Sequence, residues 1–232
     1  MKKQGTLVSE STVEYASSTS FGSLGFAQLR GVDLDDAAER ATSGDTLLLS
    51  RVRAALRKLN PFLSPELVAQ VLRTLTHFPH PTLIENNRWL YNLLTDGVEV
   101  EYRDPVTGET RGDRALLVDF DNPANNDYLV VRQLTVPTTA GKLIRPDLIV
   151  YLNGLPLAVI ELKDPTDESA DLGTAIDQLQ RYMRAAPDLF VANMILVASD
   201  GLLTRVGSIT SGRQRFMPWR PAKGGEPSLE AL

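Results

Sequence analysis

Cysteine is absent from the 232-residue chain, and histidine occurs only as His77 and His80. Those two shortages remove disulfides, thiolate chemistry and any ordinary zinc site together. The two histidines sit among Pro79 and Pro81, which reads as a loop. No apolar run is long enough to span a membrane, and the N-terminus has no signal-peptide core. With the lack of cysteine, this fits a cytoplasmic protein. A Gly-x-x-x-x-Gly-Lys-Ser/Thr phosphate loop is missing, so ATP binding is not expected of this stretch. Positive charge is also in deficit: 24 Lys and Arg stand against 29 Asp and Glu, a net charge of −5. Such a chain does not attract nucleic acid through its overall field. Any contact of that kind needs a local basic patch or a partner.

What is present begins with 43% hydrophobic residues, enough for a sizeable core in one domain, or in a core with a helical subdomain. The chain is organised around residues 145–182. Two apolar runs, 148–152 and 155–162, flank Asn153-Gly154, and Asn-Gly between strand-like runs is the strongest short hairpin signal. Asp147 lies at the far end of the first run, and Glu161 and Lys163 lie at the far end of the second. Strand alternation puts Glu161 and Lys163 on one face. Buried charges of this kind are costly unless they hold something. Metal-assisted phosphodiester hydrolysis uses such a trio. Two carboxylates bind a hard cation such as Mg²⁺, or Mn²⁺ in its place, and a lysine orients or deprotonates the attacking water. Pro146-Asp147 with Glu161-Leu162-Lys163 fits the PD-(D/E)XK nuclease pattern. The alternative is a strand-end salt bridge, since Asp, Glu and Lys are common residues.

The register decides between these. A two-residue turn with regular pairing sets Asp147 opposite Ile160, on the face away from Glu161. The site therefore requires a one-residue slip, expected as a β-bulge or a three-residue loop near 154–156. Downstream, Asp171 reads as an N-cap, and apolar residues at helical spacing run to Met183 before Pro187. Gln178 and Tyr182, four apart, share a face of that helix.

Glu161-Leu-Lys followed by Gln-x-x-x-Tyr resembles the nuclease domain at the N-terminus of the R (restriction and translocation) subunit of type I restriction enzymes. Further phrases resemble the same family: Gly-Val-Glu-Val-Glu-Tyr-Arg at 97–103, Val-Asp-Phe-Asp-Asn-Pro at 118–123, and Asn-Asp-Tyr-Leu-Val-Val at 126–131. So do Asn-Gly-Leu-Pro-Leu-Ala-Val at 153–159, Ser-Asp-Gly at 199–201 and Arg-Val-Gly-Ser at 205–208. The similarity runs from about residue 8 to the end. It implies cleavage of double-stranded DNA by Asp147, Glu161 and Lys163 with Mg²⁺, supported by Gln178 and Tyr182. Asp147 and Glu161 would hold the metal, and Glu14, on an N-terminal helix, is a further candidate ligand. A solvated helix charge is the alternative for Glu14. The resemblance also implies a longer subunit that continues into an ATP-dependent translocase and works with methyltransferase and specificity subunits. ATP would then belong to the full-length subunit only. Residues 228–232 read as a helix beginning, as expected of a fragment.

The fold expected is α/β, a restriction-endonuclease-like mixed central sheet flanked by helices. Residues 1–97 form a mostly helical portion, 98–220 the nuclease core, and 221–232 the start of a linker. Helices are expected over 9–29, 43–59, from Ser64-Pro65, and over 83–95. Strands are expected over 98–103, 115–119, 128–136, 193–198 and 203–207. Arg51, Arg53, Arg57 and Lys58 decorate one helix, either as a phosphate-binding face or as a solvated surface. Asp119 and Asp121 read as turn residues. Lys142, Arg145 and Arg181 are candidates to meet the DNA backbone. So is the acid-free stretch 201–225, with Arg205, Arg213, Arg215, Arg220 and Lys223, which alternatively docks on the motor. A docking module that is inactive without its partner subunits is the competing functional reading. An unrelated acidic α/β domain is the third.

Overall fold

The computed structural model describes residues 10–36, 39–103, 107–164 and 171–220. In chain order the first part is mostly helical: α1 (Glu10–Ser23), a short strand β1 (Ala27–Arg30), α2 (Gly31–Asp36), α3 (Leu49–Leu59), α4 (Pro65–Thr76) and α5 (Leu83–Asp96). Helix α4 starts as its sequence requires. Ser64 Oγ accepts from the Leu67 N–H at 3.3 Å, with Pro65 in the first turn, and an oxygen there satisfies an amide that has no partner within the helix. Thr82 caps α5 in the same way, and Gly97 ends it with φ of 79°. Among the described residues no helix is long and apolar enough to cross a membrane.

Strands follow: β2 (Val98–Arg103), β3 (Thr110–Ala115), β4 (Tyr128–Arg132), β5 (Val136–Pro137), β6 (Leu143–Ile144), β7 (Leu148–Leu152) and β8 (Leu155–Leu162). Helix α6 (Leu172–Ala185) then leads to β9 (Ile195–Ser199), β10 (Thr204–Gly207) and β11 (Met217–Pro218). The central sheet is seven-stranded and mixed, in the order β1-β4-β7-β8-β9-β10-β11. β1 runs parallel to β4 and β8 parallel to β9, and the other neighbours are antiparallel. The parallel pair β8 and β9 is joined through α6, a βαβ unit that carries both strand ends to one edge of the sheet.

Both faces of the sheet are covered. On one, Leu129, Val131, Ile149, Val159 and Leu196 pack under Ala175, Ile176 and Leu179 of α6. On the other, Val130, Leu148, Ile160, Leu162 and Val197 pack with Phe21 of α1. Each such fully buried aliphatic side chain contributes about 1.5–3 kcal/mol relative to exposure. A third cluster joins α3, α4 and α5 to β2, β3 and the turn end of the β7–β8 hairpin.

The structure corrects several expected strands. Residues 116–119 are not a strand; β3 lies earlier, at Thr110–Ala115, and meets the expected strand only at Ala115. The run expected over 128–136 breaks at Gln133, whose φ is 52°. β1, expected as the end of a helix, is instead a sheet edge with three exposed residues out of four. Asp119 and Asp121 lie at a turn, as their sequence context suggests. Asp119 accepts from Asn122 N at 2.8 Å and Asn125 Nδ2 at 2.7 Å.

Candidate functional site

The site lies where β7 begins and β8 ends. Asn153 and Gly154 form the hairpin turn with φ of 51° and 83°, and Leu152 pairs with Leu155 and Tyr151 with Pro156. The register then slips, so that Val150 pairs with Ala158 and Leu148 with Ile160. Leu157 is the extra residue, and its carbonyl is taken up by Met194 N at 2.7 Å. The slip is the one the site requires, and it falls at Leu157, directly after the expected 154–156. One step beyond the last pair, Asp147 faces Glu161, and Asp147 Oδ2 accepts from Leu162 N at 2.7 Å.

Glu161 is 1% exposed and lies on the α6 face of the sheet, next to Val159. Asp171 caps α6 by accepting from Thr174 N at 2.8 Å, and the helix then delivers Gln178 and Tyr182. Gln178 Nε2 donates to Glu161 Oε1 and, at 2.7 Å, to the Tyr182 hydroxyl oxygen. Lys163 Nζ lies 3.4 Å from Glu161 Oε1. That is long for a charge-assisted bond, which settles near 2.7–2.9 Å. Burial, and next the neighbouring Asp147 carboxyl, push Glu161 up to about 9, against the smaller opposing effect of Lys163. Burial and the Glu161 carboxylate likewise raise Tyr182 to about 12, which keeps it a phenol.

Glu161 Oε2 is buried and has no hydrogen-bond partner among the described residues. A carboxylate oxygen in that position needs either a proton or a cation. The neighbouring Asp147 carboxyl offers further hard oxygens, the class that Mg²⁺ and Mn²⁺ take. The residues therefore fit a divalent cation. Among the described residues no group of three or more His, Cys, Asp or Glu side chains is arranged to hold one. Glu14 comes from the opposite face of the sheet and is bound by Gln133, whose Nε2 donates to its Oε2 at 2.8 Å.

The sequence matches the model of the type I restriction enzyme R protein N terminus over residues 8–215. The chain belongs to that family. It is 37% identical over 217 residues to the type I restriction enzyme HindI endonuclease subunit of Haemophilus influenzae, covering 92% of this chain and 20% of that one. It is 33% identical over 223 residues to the putative type I restriction enzyme MjaIXP endonuclease subunit of Methanocaldococcus jannaschii, covering 94% and 21%. The chain thus spans about a fifth of the length of the curated relatives it matches.

In this member of the R-protein family the candidate cations are scattered. Arg145, two residues before Asp147, and Arg181, beside Tyr182 on α6, are both exposed. Arg181 is close enough to Tyr182 to ease ionisation of the phenol. Lys142 is exposed between β5 and β6, and Arg215 is exposed ahead of β11. Arg205 donates to the Phe216 carbonyl at 3.1 Å. Arg213 is held by Asp177 at 3.4 Å and Asp171 at 3.8 Å, so its charge is already countered. Lys223 and the expected linker lie outside the described residues. On α3, Arg51 is an internal strut between Glu39 at 2.7 Å and Asp127 at 2.8 Å rather than part of a phosphate-binding face. The contact of Gln133 with Glu14 was not legible, because Gln133 follows an apolar run that reads as one continuous strand.

Proposed function

We propose that this chain is a Mg²⁺-dependent DNA endonuclease domain, with Mn²⁺ able to substitute, that cleaves phosphodiester bonds without sequence specificity of its own. The observation that carries the reading is the slipped β7–β8 hairpin. It sets Asp147 across from Glu161 on the face that also carries Lys163. Asp147 and Glu161 would hold the cation, and Glu14 is a further candidate ligand. When bound, the cation supplies charge to the phosphate and lowers the pKa of a coordinated water. Leu162 N fixes one Asp147 oxygen, and Gln178 fixes Glu161 Oε1, so both carboxylates are oriented before substrate arrives. Lys163, 8% exposed, orients the attacking water or takes its proton. Tyr182 keeps Gln178 in place. Arg145 and Arg181 are the cations best placed to meet the DNA backbone. The relatives carry the words "endonuclease subunit" in their names, which supports the same reading. In a longer subunit, ATP-driven translocation and the methyltransferase and specificity subunits would lie beyond this chain.

Nicking of supercoiled plasmid with Mg²⁺ tests the proposal. Wild type should nick, and Glu161→Ala should not. Lys163→Met should lose about 10²–10⁴-fold in rate. Equal nicking by all three would remove these residues from the chemistry. A second reading, a docking module inactive without its partner subunits, is favoured by the net charge of −5 and the countered Arg213. It predicts no nicking by the isolated chain and nicking after partner subunits are added.

A further inference from the structure

Gln133 ends β4 in a conformation that few residues with a side chain adopt. Its φ of 52° is left-handed, a region sparsely populated outside Gly, Asn and Asp. Such a backbone persists only when its surroundings over-determine it, and it then concentrates at functional sites. Here the surroundings are specific. The Gln133 N–H donates to the Asp147 carbonyl at 2.9 Å. On the other side, Gly31 leaves room for the kink. A Cβ on Gly31 would stand 2.6 Å from the Gln133 carbonyl oxygen and 2.7 Å from Leu134 Cα.

The kink redirects one side chain. Had β4 continued regularly, Gln133 would share the face of Val131, under α6. Instead its amide reaches the opposite helix, α1, where Nε2 donates to Glu14 Oε2 at 2.8 Å. Glu14, Ser17, Ser18 and Phe21 are all buried, at the spacing of one helix face. Glu14 is 7% exposed, and this amide holds one of its carboxylate oxygens. One residue thus holds the main chain at Asp147 and a carboxylate on the other layer of the fold.

We infer that Gln133 is a positioning residue for the carboxylate site, fixing Glu14 relative to Asp147. The inference rests on the metal-dependent reading above. Outer-shell partners of this kind typically change metal affinity about 10–100-fold when removed.

The test is Mn²⁺ affinity, followed by the paramagnetic resonance signal of free Mn²⁺, with thermal melting of each protein in chelator as the structural control. Gln133→Met keeps the length and the backbone demand but removes the amide. Gln133→Asn suits the left-handed backbone but is one methylene too short to reach Glu14. Both variants should bind Mn²⁺ about ten-fold more weakly than wild type, and Gln133→Asn should melt no lower. Glu14→Gln should weaken binding comparably, and the Gln133→Met/Glu14→Gln double variant should lose little more than either single change. Wild-type affinity in both Gln133 variants, or in Glu14→Gln, overturns the inference and leaves the metal site standing. No Mn²⁺ binding by wild type overturns the metal-dependent reading and the inference together. If Gln133→Met fails to fold, Gln133→Asn decides alone.

Discussion

Glu161 concentrates the chemistry of the site in one side chain. Burial and the Asp147 carboxyl raise it to about 9, whereas an unfolded glutamate titrates near about 4.3. Between those values the native state binds a proton that the unfolded chain does not. Stability from this group is therefore full below the unfolded value and is lost as pH rises through about 9. A divalent cation has to displace that proton. Calorimetry at pH 7 in two buffers of different ionisation enthalpy should show about one proton released per cation, with affinity rising towards pH 9. No proton release would mean that Glu161 is already ionised, and that burial and Asp147 do not hold its proton at pH 7. At this scale the sequence was informative about Asp147, Glu161, Lys163, Gln178 and Tyr182, because spacing along a strand or a helix fixes the face. It was silent on Gln133, whose role depends on a left-handed φ and a bond to a residue more than a hundred positions earlier.

At the scale of elements, the β7–β8 hairpin holds the two carboxylates together, and its turn is docked rather than free. Gly154 has φ of 83°, and a Cβ there would lie 2.5 Å from the Leu48 carbonyl oxygen and 2.9 Å from Val52 N. The Gly154 carbonyl accepts from Leu48 N at 2.9 Å, at the start of α3. Asn153 is tied down equally well. Its Oδ1 accepts from Asp127 N at 2.7 Å, and its Nδ2 donates to the Leu117 carbonyl at 2.9 Å. Gly154→Ala adds a left-handed penalty of roughly 1–2 kcal/mol to a backbone clash that no side-chain rotation relieves. Urea unfolding should therefore show a loss above about 2 kcal/mol; a loss under about 0.5 kcal/mol, the range of an ordinary surface substitution, would contradict the docked turn. Both strands of this hairpin were legible to the residue, since apolar runs bounded by Asn-Gly leave little choice. The need for a bulge was legible too, from the mismatch between turn length and site face. Its neighbourhood was legible as well, since the extra residue directly follows Pro156; that Met194 N, from a distant segment, donates to the Leu157 carbonyl was not. β1 and β3 escaped notice for another reason: they are short or exposed strands whose pairing, rather than their apolar pattern, makes them strands.

Across the whole molecule, the sheet brings the start of β7, the ends of β8 and β4, and the two covering helices to one edge. α6 supplies Gln178 and Tyr182 from one layer, and from the other α1 presents Glu14 to Gln133 at the end of β4. Among the described residues the arginines are dispersed, and the chain's overall balance is acidic. Family membership was evident from phrases spread along the chain. The bond between Gln133 and Glu14 was not, since it depends on a tertiary contact between distant segments. The central claim is that Asp147 and Glu161 together form a divalent-cation site. Titration calorimetry with Mn²⁺ on wild type and Glu161→Ala tests it most directly. The account predicts saturable binding by wild type that disappears in Glu161→Ala. Equal binding by the two proteins, or none by either, would contradict it.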